Sequence, residues 1–210
     1  MKKIIIKIMG KYKTKKIHTM IDYIQNSKIL YDDNILNIET ERLFREAEDD
    51  FYFFNKSKKA INKLTKALEL SPCRIKVLKL LGDVYFANGK MEKCFDCYSQ
   101  AAALKPENAV ILASLASVCE AVGKFSTALD FTNLALKHLT IEDIRLFAPL
   151  TELKISLLVK LQMYNEAKKV LDFAKKRLSS EEVGSLATVS LLKKKLSLRE
   201  KIDNLNIKVV

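Results

Sequence analysis

The sequence predicts an all-α fold: an α-solenoid of stacked helix-turn-helix units with capping helices at both ends. Three observations support this. Helix breakers are scarce, with 5 Gly and 3 Pro among 210 residues, and 49% of the residues are apolar. Similar residues also recur at an interval of 34. A sheet-rich fold needs turn residues every ~8–12 positions, whereas a fixed period of this length is typical of paired helices stacked in a row.

The period places the turns and divides the middle of the chain into three units. The residues that recur at this interval are Asn55 and Gly89, Gly89 and Gly123, Pro72 and Pro106, and Ala67, Ala101 and Ala135. Glycine can take a positive φ and so end the first helix of a unit. Proline suits the first turn of the next helix, where its missing N–H costs nothing. The sequence therefore predicts units at 41–74, 75–108 and 109–142.

Outside these units the repeat is irregular. After Glu142 the phase slips, and the stretch from Tyr164 resembles a second helix displaced by five residues, which predicts a divergent fourth helix pair over 143–178. We expect a C-terminal capping helix with a basic tail at 179–210. A solenoid needs such covering elements with a polar outer face. At the other end we expect a flexible basic tail at 1–15 and a capping helix and loop at 16–40, with the loop over residues 31–40.

The best-matched unit carries a recognisable pattern. Its pattern residues are Leu78, Leu81, Gly82, Tyr85, Gly89, Tyr98, Ala101 and Pro106. This unit resembles the tetratricopeptide repeat (TPR) family, with Cys94 in place of the first alanine of the pattern. The unit 109–142 departs from the pattern at Cys119 and Thr140. The unit 41–74 departs at Glu48, where a small residue is usual. The resemblance implies a solenoid whose first helices line a concave groove.

The resemblance also implies which residues face that groove and bind a peptide or helical segment of a partner protein. They are Arg42, Arg45, Asp49, Tyr52, Lys76, Lys79, Asp83, Phe86, Ala113, Ser117 and Glu120. The spacing of Arg45, Asp49 and Tyr52 independently places them on one helix face. Some family members hold a partner's C-terminal carboxylate with paired Lys and Asn, but Asp83 stands where that Asn is expected. We therefore expect an apolar or amphipathic segment, with its acidic groups near Arg45 and Lys79.

Candidate chemistry is sparse. Cys94 and Cys97 form a Cys-x-x-Cys pair, but a zinc site needs four ligands and no second pair exists. Because the pair falls inside a predicted helix, the two residues are interpreted as buried apolar side chains. Neither His18 nor His138 has a nucleophile or carboxylate at an interpretable spacing, and five scattered glycines make no phosphate loop. The sequence thus predicts no enzyme, no cofactor and no metal.

The uneven distribution of positive charge permits a second class of function. The net charge is +12, and residues 1–16 hold seven Lys and no acidic residue. The main prediction is a cytoplasmic scaffold or adaptor that binds another protein, and a narrower form of it is a bacterial secretion-type chaperone. The alternative is a basic protein that associates with RNA or an anionic membrane through its Lys-rich ends. The salt dependence of binding distinguishes the two, since contacts with phosphates weaken steeply as salt rises.

Overall fold

A computed structural model describes residues 33–176, except for the side chains at 33–37, 144 and 175. In this part of the chain the regular structure is helical, with no strand, as the sequence predicts. The α-helices are α1 (Asp33–Glu48), α2 (Ser57–Leu70), α3 (Ile75–Ala87), α4 (Met91–Leu104), α5 (Ala109–Ala121), α6 (Phe125–Lys137), α7 (Phe147–Lys160) and α8 (Tyr164–Lys175). A π-helix (Asp49–Phe53) follows α1, and a 3₁₀ turn (Ile144–Leu146) precedes α7. The expected tails and capping helices at 1–30 and 179–210 lie outside the described residues.

The chain divides into two compact units, Met1–Val118 and Cys119–Val210. In the first unit α1 packs on α2, α2 on α3, and α3 on α4. Its core is aliphatic: Leu43, Ala47, Ala60, Leu64, Ala67, Val77, Leu80, Leu81, Val84 and Cys97 are buried together. In the second unit α7 packs on both α6 and α8, around Ile155, Leu158, Val159, Ala167 and Leu171. Each large aliphatic side chain that is fully buried contributes about 1.5–3 kcal/mol.

In three of the helix pairs, the two helices are joined by the same type of turn. The turn residue has a φ of 70° at Gly89, 75° at Gly123 and 62° at Gln162. In each case the N–H of the following residue donates to the carbonyl five positions back, with N to O distances of 2.8–2.9 Å. This is the Schellman ending, in which glycine is the least strained residue. Gln162 lies 39 positions after Gly123, five more than the 34-residue period. The fourth pair therefore has the same type of turn, displaced by five residues.

The first pair turns differently. Asn55 has a φ of 51° at the equivalent position, but the N–H of Lys56 donates to the carbonyl of Asp50, six positions back, at 2.6 Å. The hydrogen bond that closes this turn thus spans one residue more than the matching hydrogen bonds of the other three pairs. The side chains of Tyr52, Phe53 and Phe54, in and just after the π-helix, are exposed.

The prediction of a loop over residues 31–40 is wrong, because α1 begins at Asp33. Tertiary contact and local charge extend the helix at its N-terminal end. Thr40 is fully buried, and its hydroxyl hydrogen-bonds that of Ser71 at 3.1 Å. Glu39 accepts hydrogen bonds from Arg42 one turn later. Such i, i+3 pairs stabilise a helix by about 0.2–0.5 kcal/mol. The sequence suggests a loop instead because Asp-Asp-Asn, just before this pair, is typical of turns.

The fourth pair accommodates Pro149 without interruption. Leu146 precedes the first residue of α7, so Pro149 lies in the first turn of the helix, where a backbone N–H has no partner within the helix. No helix in residues 33–176 is long and apolar enough to cross a membrane.

Candidate partner-binding surface

The first helices of neighbouring units are joined by charge. The Lys76 ammonium of α3 pairs with the Glu41 carboxylate of α1, and Arg74 approaches the same carboxylate at 3.9 Å. Lys76 also lies 4.8 Å from the centre of the Phe44 ring. The hydrogen bond from Lys76 holds the pKa of Glu41 below its usual value. Lys76, a predicted groove residue, therefore serves to link α1 to α3.

Two further predicted groove residues, Lys79 and Asp83, form one polar cluster with Tyr98. The Lys79 ammonium lies 2.7 Å from one carboxylate oxygen of Asp83. The Tyr98 hydroxyl donates to the other oxygen at 2.5 Å. Tyr98 belongs to α4 and is 4% exposed, and burial followed by its bond to Asp83 raises its pKa. Both oxygens of Asp83 thus have partners within the protein.

The arginines of α1 are also paired. Arg42 contacts Glu39 at 2.7 Å and Glu46 at 2.5 Å. Arg45 lies 3.6 Å from Glu41, with 76% of its side chain exposed. The expectation that Arg45 and Lys79 await acidic groups of a partner is therefore revised. Each of these bases has an intramolecular carboxylate within its own helix, which a sequence pattern of groove positions does not take into account.

Several aromatic side chains of this surface are exposed. Tyr52 is 60% exposed and Phe86, 34 positions later in the next first helix, is 37% exposed. Phe53 and Phe54 extend the aromatic run at the π-helix. The prediction omits Phe54, since the period assigns it to the turn. The consecutive aromatics in "FYFF" were the available signal, because contiguous apolar side chains that remain exposed often mark an interaction site.

Two carboxylates that precede Tyr52 in the chain form no ion pair with the residues that the structure describes. Asp49 is exposed and Glu48 half-buried, and no described cation lies within ion-pair distance of either. Burial, followed by the carboxylate of Asp83, raises the pKa of Tyr52, with Lys79 opposing and Glu48 adding to the shift. These influences place Tyr52 in the electrostatic field of the Lys79–Asp83 pair.

The remaining predicted residues are less distinctive. Ala113 and Ser117 of α5 are half-buried, and the Ser117 hydroxyl donates to the carbonyl of Ala113 at 3.1 Å. Glu120 belongs to the second compact unit, where Lys160 lies 2.7 Å from its carboxylate. Ala113 and Ser117 thus supply a small, weakly polar surface on α5.

The cysteines are packing residues wherever they fall inside helices. Cys94, Cys97 and Cys119 are buried, and Cys73 is exposed in the turn before α3. Burial raises the pKa of Cys94 and of Cys119 to about 12, which keeps both thiols protonated. Within residues 33–176, no three His, Cys, Asp or Glu side chains are grouped as a metal site would require.

Solved structures show which fold these helix pairs form. A tetratricopeptide repeat protein from Parabacteroides merdae superposes with a TM-score of 0.64 at 21% identity, covering 77% of this chain and 62% of that one. MamA gives a TM-score of 0.56 at 16% identity, with coverages of 82% and 86%. The Yersinia enterocolitica type III secretion chaperone SycD, solved with a peptide of the translocator YopD, gives 0.56 at 17%, with coverages of 62% and 97%.

No protein-family model and no curated protein matches the sequence. The likeness to solved structures nevertheless confirms the predicted fold: the chain has the tetratricopeptide-repeat fold.

Proposed function

We propose that this chain is a protein-interaction scaffold that binds a peptide or helical segment of a partner protein along the first helices of its repeats. The observation that carries the proposal is the exposure of Tyr52 and Phe86 at equivalent positions of neighbouring first helices. Exposed aromatics at a repeat interval suit a partner that lies across the repeats, and aromatic residues dominate the energetics of many interfaces.

The fold agrees with this use. Stacked helix pairs present an extended surface rather than an enclosed pocket. SycD, which shares the fold, was solved with a peptide of its translocator. A bacterial secretion-type chaperone is a narrower form of the same proposal. We assign the chain a binding role rather than a catalytic one, because burial withholds the thiols of Cys94 and Cys119 from chemistry.

Affinity capture with matched variants tests the proposal. The full chain should capture a partner protein from its native cell, and Tyr52→Ala with Phe86→Ala should reduce the recovery by about tenfold. Phe173→Ala, at a side chain of α8 that is 50% exposed, is the matched control and should leave recovery unchanged. Equal recovery with all three proteins would contradict the proposal.

The competing function class, an RNA- or membrane-binding protein with Lys-rich ends, is tested by deletion of residues 1–15. A basic tail that contacts phosphates would lose most of its affinity and its steep salt dependence on deletion. We expect capture of the protein partner to survive the deletion. Loss of capture on deletion, together with normal capture by the aromatic variant, would favour the basic ends over the helical surface.

A further inference from the structure

Two exposed rings of the proposed surface lie close to one ion pair. Lys79, Asp83 and Phe86 share a face of α3, because they follow the spacing i, i+4 and i+7. Tyr52 of the π-helix lies beside this face: after burial, the carboxylate of Asp83 raises its pKa most, and Lys79 opposes the shift. The ring of Tyr52 is therefore next to the Lys79–Asp83 pair, and the ring of Phe86 lies one helical turn beyond it.

A buried residue of α4 holds this ion pair in place. The Tyr98 hydroxyl donates to one oxygen of Asp83 at 2.5 Å, and the Lys79 ammonium donates to the other at 2.7 Å. The ring of Tyr98 is fixed in turn, since it is buried and packs against the backbone of Gly82. Hydrogen bonds that involve an ionised group are stronger than those between neutral groups. The flexible side chain of Lys79 thus has a defined position beside Tyr52.

Lys79 has hydrogen-bonding capacity that the described residues do not use. An ammonium group has three N–H donors. Within residues 33–176 that of Lys79 makes one hydrogen bond, to Asp83, and 35% of its side chain is exposed. Two donors therefore remain for water or for a bound segment. Ordering a long side chain on binding reduces affinity, and here the order exists before binding.

We infer that Lys79 donates a hydrogen bond to an oxygen of the bound segment, whose apolar side chains cover Tyr52 and Phe86, and that Tyr98 is a positioning residue for this contact. The inference rests on the proposed function and assigns roles within it. Tyr98 is buried and does not touch the segment. Its influence on binding passes through Asp83 to Lys79.

Isothermal titration calorimetry on the full chain tests the contact. The probe is an acetylated and amidated peptide of three Leu-Gln-Gln-Leu-Ala-Gln-Gln repeats, which offers apolar side chains and oxygen acceptors. It carries no charge, so attraction to the chain's net charge of +12 does not contribute to its binding. We expect Lys79→Met, and separately Tyr52→Ala with Phe86→Ala, to weaken binding of this peptide by about tenfold each.

A double-mutant cycle distinguishes positioning from a general effect on the fold. Tyr98→Phe removes the hydroxyl and keeps the ring against Gly82, and it should weaken binding by about threefold to tenfold. In the Lys79→Met background the same change should have no effect, because the group that it positions is gone. Asp83→Ala breaks the same link and should show the same dependence on Lys79.

Tyr85→Phe is the matched control. It removes a hydroxyl from α3 that makes no hydrogen bond with the described residues, so affinity should not change. Circular dichroism and the melting temperature establish that each variant is folded.

Three outcomes overturn the inference. The first is that the peptide does not bind, and the second is unchanged affinity in Lys79→Met. The third is a Tyr98→Phe variant that binds like the parent or loses the same affinity in both backgrounds. If capture of the partner protein depends on Tyr52 and Phe86 but not on Lys79, the proposed function stands and this inference alone fails.

Discussion

The backbone of Gly82 in α3 lies directly under the ring of Tyr98 in α4. A Cβ added at Gly82 would lie 2.7 Å from Cδ1 of Tyr98 and closer still to Cε1. Tyr98 has little freedom to move away, because it is buried and its hydroxyl is bound to Asp83. The missing side chain at position 82 thus allows the two helices of this unit to approach and positions the carboxylate that pairs with Lys79.

Substitution of Gly82 should therefore destabilise the fold. Gly82→Leu is expected to lower the free energy of unfolding by about 1–3 kcal/mol, the usual cost of overpacking a core. Ala87→Leu adds a similar side chain at an exposed position of the same helix and is the control. Urea unfolding monitored by circular dichroism measures both. Equal stability of Gly82→Leu and the parent would show that the ring of Tyr98 does not limit this packing.

Charge reversal should affect the stability of the fold differently at Arg45 and at Lys79. Arg45→Glu changes an exposed side chain with a loose ion pair, so we expect a stability change below about 0.5 kcal/mol. Lys79→Glu leaves Asp83 beside a like charge one turn away and should cost about 1.5–3 kcal/mol, since a hydrogen bond to a charged group is worth roughly that much. Thermal melts of the two variants measure the difference. Equal melting temperatures would mean that the Lys79–Asp83–Tyr98 cluster contributes nothing to the fold.

Acid should weaken the link between α1 and α2. Lys63 of α2 lies 3.0 Å from Glu46 and 2.9 Å from Asp50, and its close positive charge lowers the pKa of both carboxyl groups. A carboxyl group whose pKa is lower in the folded than in the unfolded protein stabilises the fold when the pH is above its unfolded-state pKa. This stabilisation is lost as the pH falls through its folded-state pKa. We therefore expect Lys63→Met to melt below the parent at neutral pH and to approach it below about pH 4.

Lys58→Met provides the control for the acid titration. Lys58 is an exposed lysine of the same helix, and none of its contacts in the described residues is an ion pair. Its melting temperature should follow that of the parent across the pH range. A difference between Lys63→Met and the parent that stays constant down to pH 3 would contradict the assigned role of this ion pair.

Periodicity was enough to predict the fold, because its signals are local. Gly89 and Gly123 end helices through their own backbone conformation, so a single residue type at a fixed interval identifies the turn. The extra residue of the π-helix could not be predicted in this way. Neither could the start of α1 at Asp33, which depends on the burial of Thr40 against Ser71, 31 positions away.

The candidate surface was only partly predictable. Repeat positions predicted Tyr52 and Phe86 as groove residues, and both side chains are exposed in the structure. The same positions could not show that Lys76 contacts Glu41, 35 residues earlier, or that Tyr98 binds Asp83. Side-chain partners on neighbouring helices determine which charges are paired within the protein, and the repeat period does not contain this information.

Site-specific photo-crosslinking in the native cell tests the central claim most directly. A benzophenone side chain is placed at Ser117, at Phe86 or, as the control, at Thr65 on the exposed side of α2. We predict that one partner protein crosslinks at Ser117 and Phe86 and not at Thr65, because the segment lies along the first helices. Crosslinks of equal yield at all three positions, or at Thr65 alone, would contradict the assignment of this surface as the binding site.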